Sequence, residues 1–516
     1  MEYMFKNLYK KISKVQKTLF ISTVCFGIIT HGYIFYNNLT YHDGIVSVNT
    51  FGYTYGLGRW FLGVLELFSH YFIGIYSPPA FLGFLSIFLI AISGMFVLSI
   101  FQIKNISSAV YIGGILVVFP AVASIFAYMY TSVMYWIAFL LYVVAAFFIV
   151  KYQDIKKLSI SSVLIAFALG IYQAFFSVVV VVLLLSIIRD LLNENIVQMR
   201  EIVKKGFWYL GTLFGGLTFY FVINGIVTAL LHLDFVKYPG VEVGNAISFI
   251  NMAGNILNAY ISFLGLNWCG INEKPAIKLL VLFIFVMTII LFFFSLRKSS
   301  CKWMRLTLVV ILTILPLGIN VVYLIPSNSE YSVHTLMIYS TVFALIFPIL
   351  LLDGAEKIEI CGYRLCKTVL SILLWLLLIC YSYLDNAAYF KMDFVTEQAM
   401  TYYTVLISEI KGTENYSDDM SIAYIGEFGS EDTSFFPYMD YWDKISIKGY
   451  EYSVYDLLNS YAWKDYMGRH CGFYPETVSD IAAISSMEVV RQMPCYPDDG
   501  SIQIIDNLIV VKFSNQ

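Results

Sequence analysis

The sequence predicts a polytopic α-helical membrane protein with a small α/β domain at its C-terminal end. Three observations carry this. Of 516 residues only 13% are charged while 59% are hydrophobic, against about 25% charged in a soluble domain. Apolar runs of about 20 residues recur through the first three quarters, each long enough to cross a hydrocarbon core of about 30 Å. Near residue 386 that pattern stops and short strand-like and helical segments replace it. The expected division is a membrane domain, 1–385, and a soluble domain, 386–516.

The first span is expected at 18–35. Lys10, Lys11, Lys14 and Lys17 precede it and no small-residue cleavage pattern follows, so it reads as a span and not a cleaved signal. Residues 37–78 are too polar and glycine-rich to be another span. Within them, 58–71 place Trp60, Phe61, Val64, Leu65 and Phe68 at helical spacing, the pattern of a helix lying on a membrane surface. Pro78 and Pro79 open the second span, 80–101, since proline suits a first helical turn. Further spans are expected at 108–126, 131–150, 158–172, 174–189, 207–231, 276–296, 306–325, 333–352 and 367–384, about eleven in all. The two around Tyr172 are short, either a tight helical hairpin or broken helices. Residues 246–264 are amphipathic, with Asn251, Asn255 and Asn258 at helical spacing, and suggest a second interfacial helix. The long 232–275 connection is either a lid over a lipid-borne substrate or decoration.

Basic residues are distributed on one side. Alternate connections from the N-terminus hold Lys104; Lys151, Lys156 and Lys157; Arg189, Arg200, Lys204 and Lys205; Arg297, Lys298, Lys302 and Arg305; and Lys357, Arg364 and Lys367. The opposite connections hold only Arg59, Lys237, Lys274 and Lys278. The positive-inside rule then puts the N-terminus in the cytoplasm and, with an odd number of spans, the C-terminal domain outside a cell membrane.

That domain opens with a helix over 387–410. Residues 421–425 read as a strand, 452–461 and 485–492 as helices, and 501–513 as a hairpin turning at Asp506–Asn507. Cys471 and Cys495 could pair there if the compartment is oxidising, but sequence does not show that their Cβ atoms meet. Cys361 and Cys366 lack a matching His or Cys pair for zinc. The aromatics Phe435, Phe436, Tyr438, Tyr441, Trp442, Tyr450 and Trp463 suit either sugar stacking or a small domain's core, and core is the better expectation for most.

The expected spans carry almost no Asp, Glu, Lys or Arg in their interiors, which counts against an ion-coupled transporter. Polar groups gather instead on the expected outer side: His42, Asp43, Arg59, Glu66, Gln173, His232, Asp234, Lys237, Glu242, Asn328, Glu330 and His334.

In order, YHDG (41–44), GLGRWFL (56–62), a Pro-started span and GIYQA (170–174) resemble the bacterial glucosyltransferases that modify O-antigen and related surface polysaccharides, the glucosyltransferase II-like family. The closing MPCYPDDGSIQIIDNLIVVKFS (493–514) resembles the tail of its Gram-positive-type members. The resemblance implies a GT-C class membrane glycosyltransferase that takes a sugar from a polyprenyl-phosphate carrier and places it on a glycan outside the membrane. It also implies a catalytic carboxylate in the first outer loop, here Asp43. Some members of the class have two acidic residues there; this chain has His42 before Asp43, which puts any two-carboxylate role in doubt.

Chemistry agrees with that expectation. An acceptor hydroxyl needs a general base, and a phosphate leaving group needs positive charge, which arginine supplies as a planar fork. Asp43 is the candidate base, though Asp-Gly is also an ordinary turn pair. Arg59 is the candidate donor-phosphate ligand, or snorkels to headgroups. Lys237 is a second phosphate candidate or a solvated loop lysine. His42 binds acceptor or shapes the loop; Glu66 pairs with Arg59 or faces water. Tyr172 and Gln173 contact sugar or cap a helix end. Asn328, Glu330 and His334 are further substrate candidates at the turn between the ninth and tenth spans.

No nucleotide-sugar domain, phosphate-binding glycine loop or nucleic-acid-binding pattern is evident. The expected cofactor requirement is none, although Asp43 and Glu66 could share a divalent ion. The competing readings are a polymerase or ligase acting on lipid-linked glycans, for which an Arg-rich outer loop is missing, and a non-enzymatic flippase or transporter of lipid-linked sugars.

Overall fold

The computed structural model describes residues 12–37, 39, 43–46, 51–72, 74, 77–193, 198–233, 249–266, 268, 275–298, 302–324, 339–354, 361–428, 445, 447 and 449–515. The chain forms two compact units. One comprises Met1–Asn38, Asn49–Asn386 and Ser446–Lys448; the other Leu39–Val48, Ala387–Ile445 and Gly449–Gln516.

The first unit is helical. Helix α1 (Lys14–Tyr36) begins at a capping box in which Ser13 and Gln16 satisfy each other's backbone N–H. The short helix α2 (Asp43–Val46) belongs to the other unit; α3 (Phe51–Gly56) and α4 (Trp60–Phe72) follow. Helix α4 buries Trp60, Leu62 and Gly63 and exposes Val64, Leu67, Phe68, Tyr71 and Phe72, the apolar surface expected of an interfacial helix. Then come α5 (Pro79–Ile100), α6 (Ile106–Val118), α7 (Ala121–Phe126), α8 (Met129–Lys151), α9 (Ile155–Leu169), α10 (Phe176–Leu192), α11 (Met199–Leu231), α12 (Phe249–Leu264), α13 (Pro275–Lys298), α14 (Lys302–Ile319), α15 (Val342–Asp353) and α16 (Cys361–Gly412).

Each expected span contains helix, but among the described residues 8 helices, not eleven, are long and apolar enough to cross a membrane. The shortfall has local causes. Pro120 follows the end of α6 and separates it from α7, dividing the run at 108–126. Helix α9 ends after 15 residues at Gly170. The run at 333–352 is helical only from Tyr339 among the described residues. Small residues let helices approach closely: a Cβ on Gly113 of α6 would lie 2.9 Å from the Leu19 carbonyl oxygen of α1.

Arg189, Asp190, Lys205 and Asp353 of this unit are buried and paired. Arg189, near the C-terminal end of α10, donates to the carbonyls of Phe101 (2.8 Å) and Leu350 (3.0 Å) and pairs with Asp353. Asp353 also accepts from the Lys104 and Asn105 N–H groups at 3.1 and 2.9 Å. Lys205 pairs with Asp190. Such pairs offset the cost of desolvating each charge. Asp385, one residue past the span expected at 367–384, is also fully buried, because α16 continues through it to Gly412.

The second unit holds a three-stranded sheet of β1 (Ile422–Ile425), β2 (Ile502–Ile505) and β3 (Leu508–Lys512), in the order β1-β3-β2. Strands β2 and β3 are the expected hairpin. Asp506 and Asn507 take φ of 48° and 65°, the left-handed pair that a two-residue turn requires. Strand β1 joins β3 in parallel. One sheet face packs Ala423, Ile425 and Val510 against Ile484, Val490 and Met493. The latter residues belong to or follow the short helices α19 (Ile481–Ser486) and α20 (Glu488–Gln492). The other face carries Tyr424, Phe428 and Phe513, with Phe428 stacked 3.9 Å from Phe513 and Trp463 set against Tyr424 at 4.9 Å. Trp463 opens α18 (Trp463–Cys471), which packs on α2; α17 (Val454–Leu458) precedes it. Tyr450 is fully buried. Phe435, Phe436, Tyr438, Tyr441 and Trp442 lie outside the described residues. Cys471 and Cys495 are both free.

Candidate active site

In the helical unit the site is built where two distant sequence motifs meet. The Phe61 and Leu62 N–H groups at the start of α4 both donate to the Gly170 carbonyl, at 2.8 and 2.9 Å. GLGRWFL thereby caps onto GIYQA. Gly170 has no room for a side chain, since its Cβ would lie 2.7 Å from the Trp60 ring. The turn before α4 depends on Gly58 at φ +73°, a left-handed conformation that glycine adopts without strain. Gly58 N–H donates to Tyr55 O (2.9 Å) and Arg59 N–H to Thr54 O (3.0 Å). Gln173 Nε2 donates to Leu57 O and to Tyr220 Oη, each at 3.1 Å, and Tyr220 Oη donates to Gly58 O at 3.1 Å.

This scaffold fixes Arg59. Its guanidinium carbon sits 5.4 Å from the centroid of the Tyr172 ring, within cation–π range. Its Nη1 donates to Tyr135 Oη at 3.4 Å. Tyr135 and Tyr172 stack with centroids 4.0 Å apart, and Tyr142 Oη donates to Tyr172 O at 3.4 Å. Glu66, one helical turn and a half into α4, accepts from Thr54 Oγ1 at 3.2 Å. Burial raises its carboxyl above the usual range; the Thr54 hydrogen bond and the positive charge of Arg59 partly oppose this. Burial and the Glu66 charge likewise raise the Tyr55 hydroxyl. Asn224 Oδ1, buried beside Gly58 and Tyr220, has no hydrogen-bond partner among the described residues.

Four sequence candidates thus come together here: Arg59 and Tyr172 in contact, Gln173 anchoring the turn before Arg59, and Glu66 in its electrostatic field. Gln173 spends its amide N–H groups on that turn and on Tyr220. Tyr135, Tyr220 and Asn224 were not anticipated; each lies on an apolar helix where one polar side chain carries no local signal.

Asp43 is in the other unit, as the first residue of α2. It accepts a hydrogen bond from Tyr461 Oη. Burial, with smaller contributions from the charges of Glu451, Asp456 and Asp43, raises the Tyr452 hydroxyl well above the usual range. Nothing in the linear sequence links positions 43 and 461. His42, Lys237, Asn328, Glu330 and His334 lie outside the described residues. Among the described residues no group of three or more His, Cys, Asp or Glu could hold a metal ion.

The arrangement offers an arginine fork held within cation–π range of an aromatic ring and, separately, a carboxylate held by a tyrosine hydroxyl. A family model described as glucosyl transferase GtrII matches residues 32–345. No curated protein and no solved structure matches the chain. The family match takes in Asp43, Arg59, Glu66, Tyr172 and Gln173 and covers more than half of the sequence. The chain belongs to the GtrII glucosyl transferase family and is a glycosyltransferase.

Proposed function

We propose that this glycosyltransferase moves a glucosyl or similar hexosyl group from a polyprenyl-phosphate donor to a cell-surface glycan. The reaction takes place at the outer face of a bacterial cell membrane, with the N-terminus cytoplasmic and the C-terminal unit outside. The acceptor hydroxyl oxygen attacks C1 of the donor sugar and the C1–O bond to phosphate breaks. The bonding pair leaves with polyprenyl phosphate, and the acceptor proton passes to the Asp43 carboxylate and then to water. Arg59 takes the donor phosphate and stabilises the charge that grows on it as C1–O breaks. General-base catalysis of this kind contributes about 10²–10⁴ in rate.

The observation that carries the reading is Arg59, held over Tyr172 at the junction of the two motifs. A guanidinium restrained by the Tyr172 ring and the Tyr135 bond suits bidentate contact to a fixed phosphate better than a mobile headgroup contact. The test is purified protein offered a panel of polyprenyl-phosphate sugars with a surface-glycan acceptor. Transfer with release of polyprenyl phosphate is the expected result. Transfer only from nucleotide sugars, or none from any lipid-linked donor, would overturn it.

A further inference from the structure

Asp385 differs from the other buried acids of the helical unit. Asp190 and Asp353 have cationic partners. Asp385 is 0% exposed, and neither of its carboxyl oxygens has a hydrogen-bond partner among the described residues. Leaving a buried polar group unpaired is destabilising, and more so for a charged one. An apolar residue would make α16 more stable at this position, so the acid calls for a functional account.

The helix that carries it is fixed in place by neighbouring residues. Asn386 Nδ2 donates to the Thr30 carbonyl (3.0 Å) and the Ser382 carbonyl (2.8 Å), and Thr30 Oγ1 donates to Ser382 Oγ at 2.8 Å. These bonds lock α16 against α1. One turn before Asp385, on the same helix face, the Tyr381 ring meets Phe119 at 5.8 Å. From there aromatic rings continue without a break: Phe119 to Tyr339 (6.5 Å), Tyr339 to Phe175 (5.6 Å), and Phe175 to Tyr172 (5.0 Å), the ring beneath Arg59. Trp136, edge-on to Tyr339 at 5.1 Å, has a buried Nε1–H with no partner among the described residues. Aromatic faces with a few unspent polar groups suit a pyranose, whose C–H faces pack on rings while its hydroxyls seek acceptors and donors.

We infer that Asp385 is a sugar-binding residue, its carboxyl oxygens accepting from neighbouring hydroxyls of a pyranose in the glycosyl donor or the acceptor glycan. This rests on the glycosyl-transfer reading above. Asp385 takes no part in bond breaking; it selects and orients the sugar.

The test compares wild type with Asp385→Leu and Asp385→Asn in the full-length protein. The probes are polyprenyl-phosphate glucose, its mono-deoxy analogues, and an acceptor glycan varied independently. For Asp385→Leu the expected result is a kcat/KM lower by at least tenfold with a Tm equal to or above that of wild type. The KM that rises identifies whether donor or acceptor is bound. Wild type should discriminate against one or two deoxy sugars, and Asp385→Asn should discriminate less, a readout that survives if the leucine variant fails to fold. Wild-type kcat/KM within twofold in both variants, or unchanged deoxy discrimination with a lowered Tm, would overturn the inference alone. A wild-type enzyme that uses no lipid-linked sugar would overturn the inference and the parent reading together.

Discussion

Arg59→Lys keeps the charge and removes the fork. In the structure the guanidinium is held by the Tyr172 ring at 5.4 Å and by a 3.4 Å hydrogen bond to Tyr135. A lysine ammonium retains cation–π attraction but cannot give a phosphate two parallel N–H bonds. Losing one charge-assisted hydrogen bond costs about 1.5–3 kcal/mol, which corresponds to about a 10- to 150-fold weaker donor affinity. The loss of the Tyr135 bond adds little, because at 3.4 Å it is long. The assay is donor binding by the purified variant, with inhibition by free polyprenyl phosphate as a second readout; both should weaken in parallel while acceptor KM stays constant. Unchanged donor affinity in Arg59→Lys would refute the placement of phosphate at Arg59.

Gly58→Ala should lower stability by about 1–2 kcal/mol from the left-handed φ alone. A further loss should follow because its Cβ would meet Tyr220 Oη at 2.5 Å; thermal unfolding in detergent measures it, and a neutral effect would show that the turn is not held as described. Tyr461→Phe removes a hydrogen bond to Asp43 and should reduce kcat about fivefold, the equivalent of about 1 kcal/mol, with donor KM unchanged; a change in donor KM alone would contradict this. Glu66 is held above the usual carboxyl range, mainly by burial. A raised carboxyl favours the folded state at low pH and forfeits that advantage as pH rises through its folded value. Glu66→Gln should therefore unfold at a higher temperature than wild type at neutral pH, and the gap should close toward pH ~4; a gap that widens on acidification would reverse the sign.

The helices were legible because apolar run length is a strong signal. Their number was less so, because Pro120 and Gly170 interrupt the pattern in ways that depend on packing. Pairing of the C-terminal hairpin was readable from Asp506–Asn507, whose backbone preference is local. The parallel pairing of β1 with β3 depends on distant chain segments and was not. At the site, Arg59, Tyr172 and Gln173 stood out as residue types, but their meeting rests on the Gly170 carbonyl receiving the start of α4, a contact without sequence periodicity. Asp385 escaped notice because it follows the apolar run directly and read as the exit from a span; in the structure α16 continues to Gly412. Tyr461 is one aromatic among many until the fold sets it on Asp43.

The most direct measurement of the central claim is transfer by the Asp43→Asn protein under single-turnover conditions with labelled polyprenyl-phosphate glucose. With Asp43 as the base, the variant should bind donor with wild-type affinity and transfer at least about 100-fold more slowly. Near-normal transfer by a folded Asp43→Asn enzyme would contradict the account.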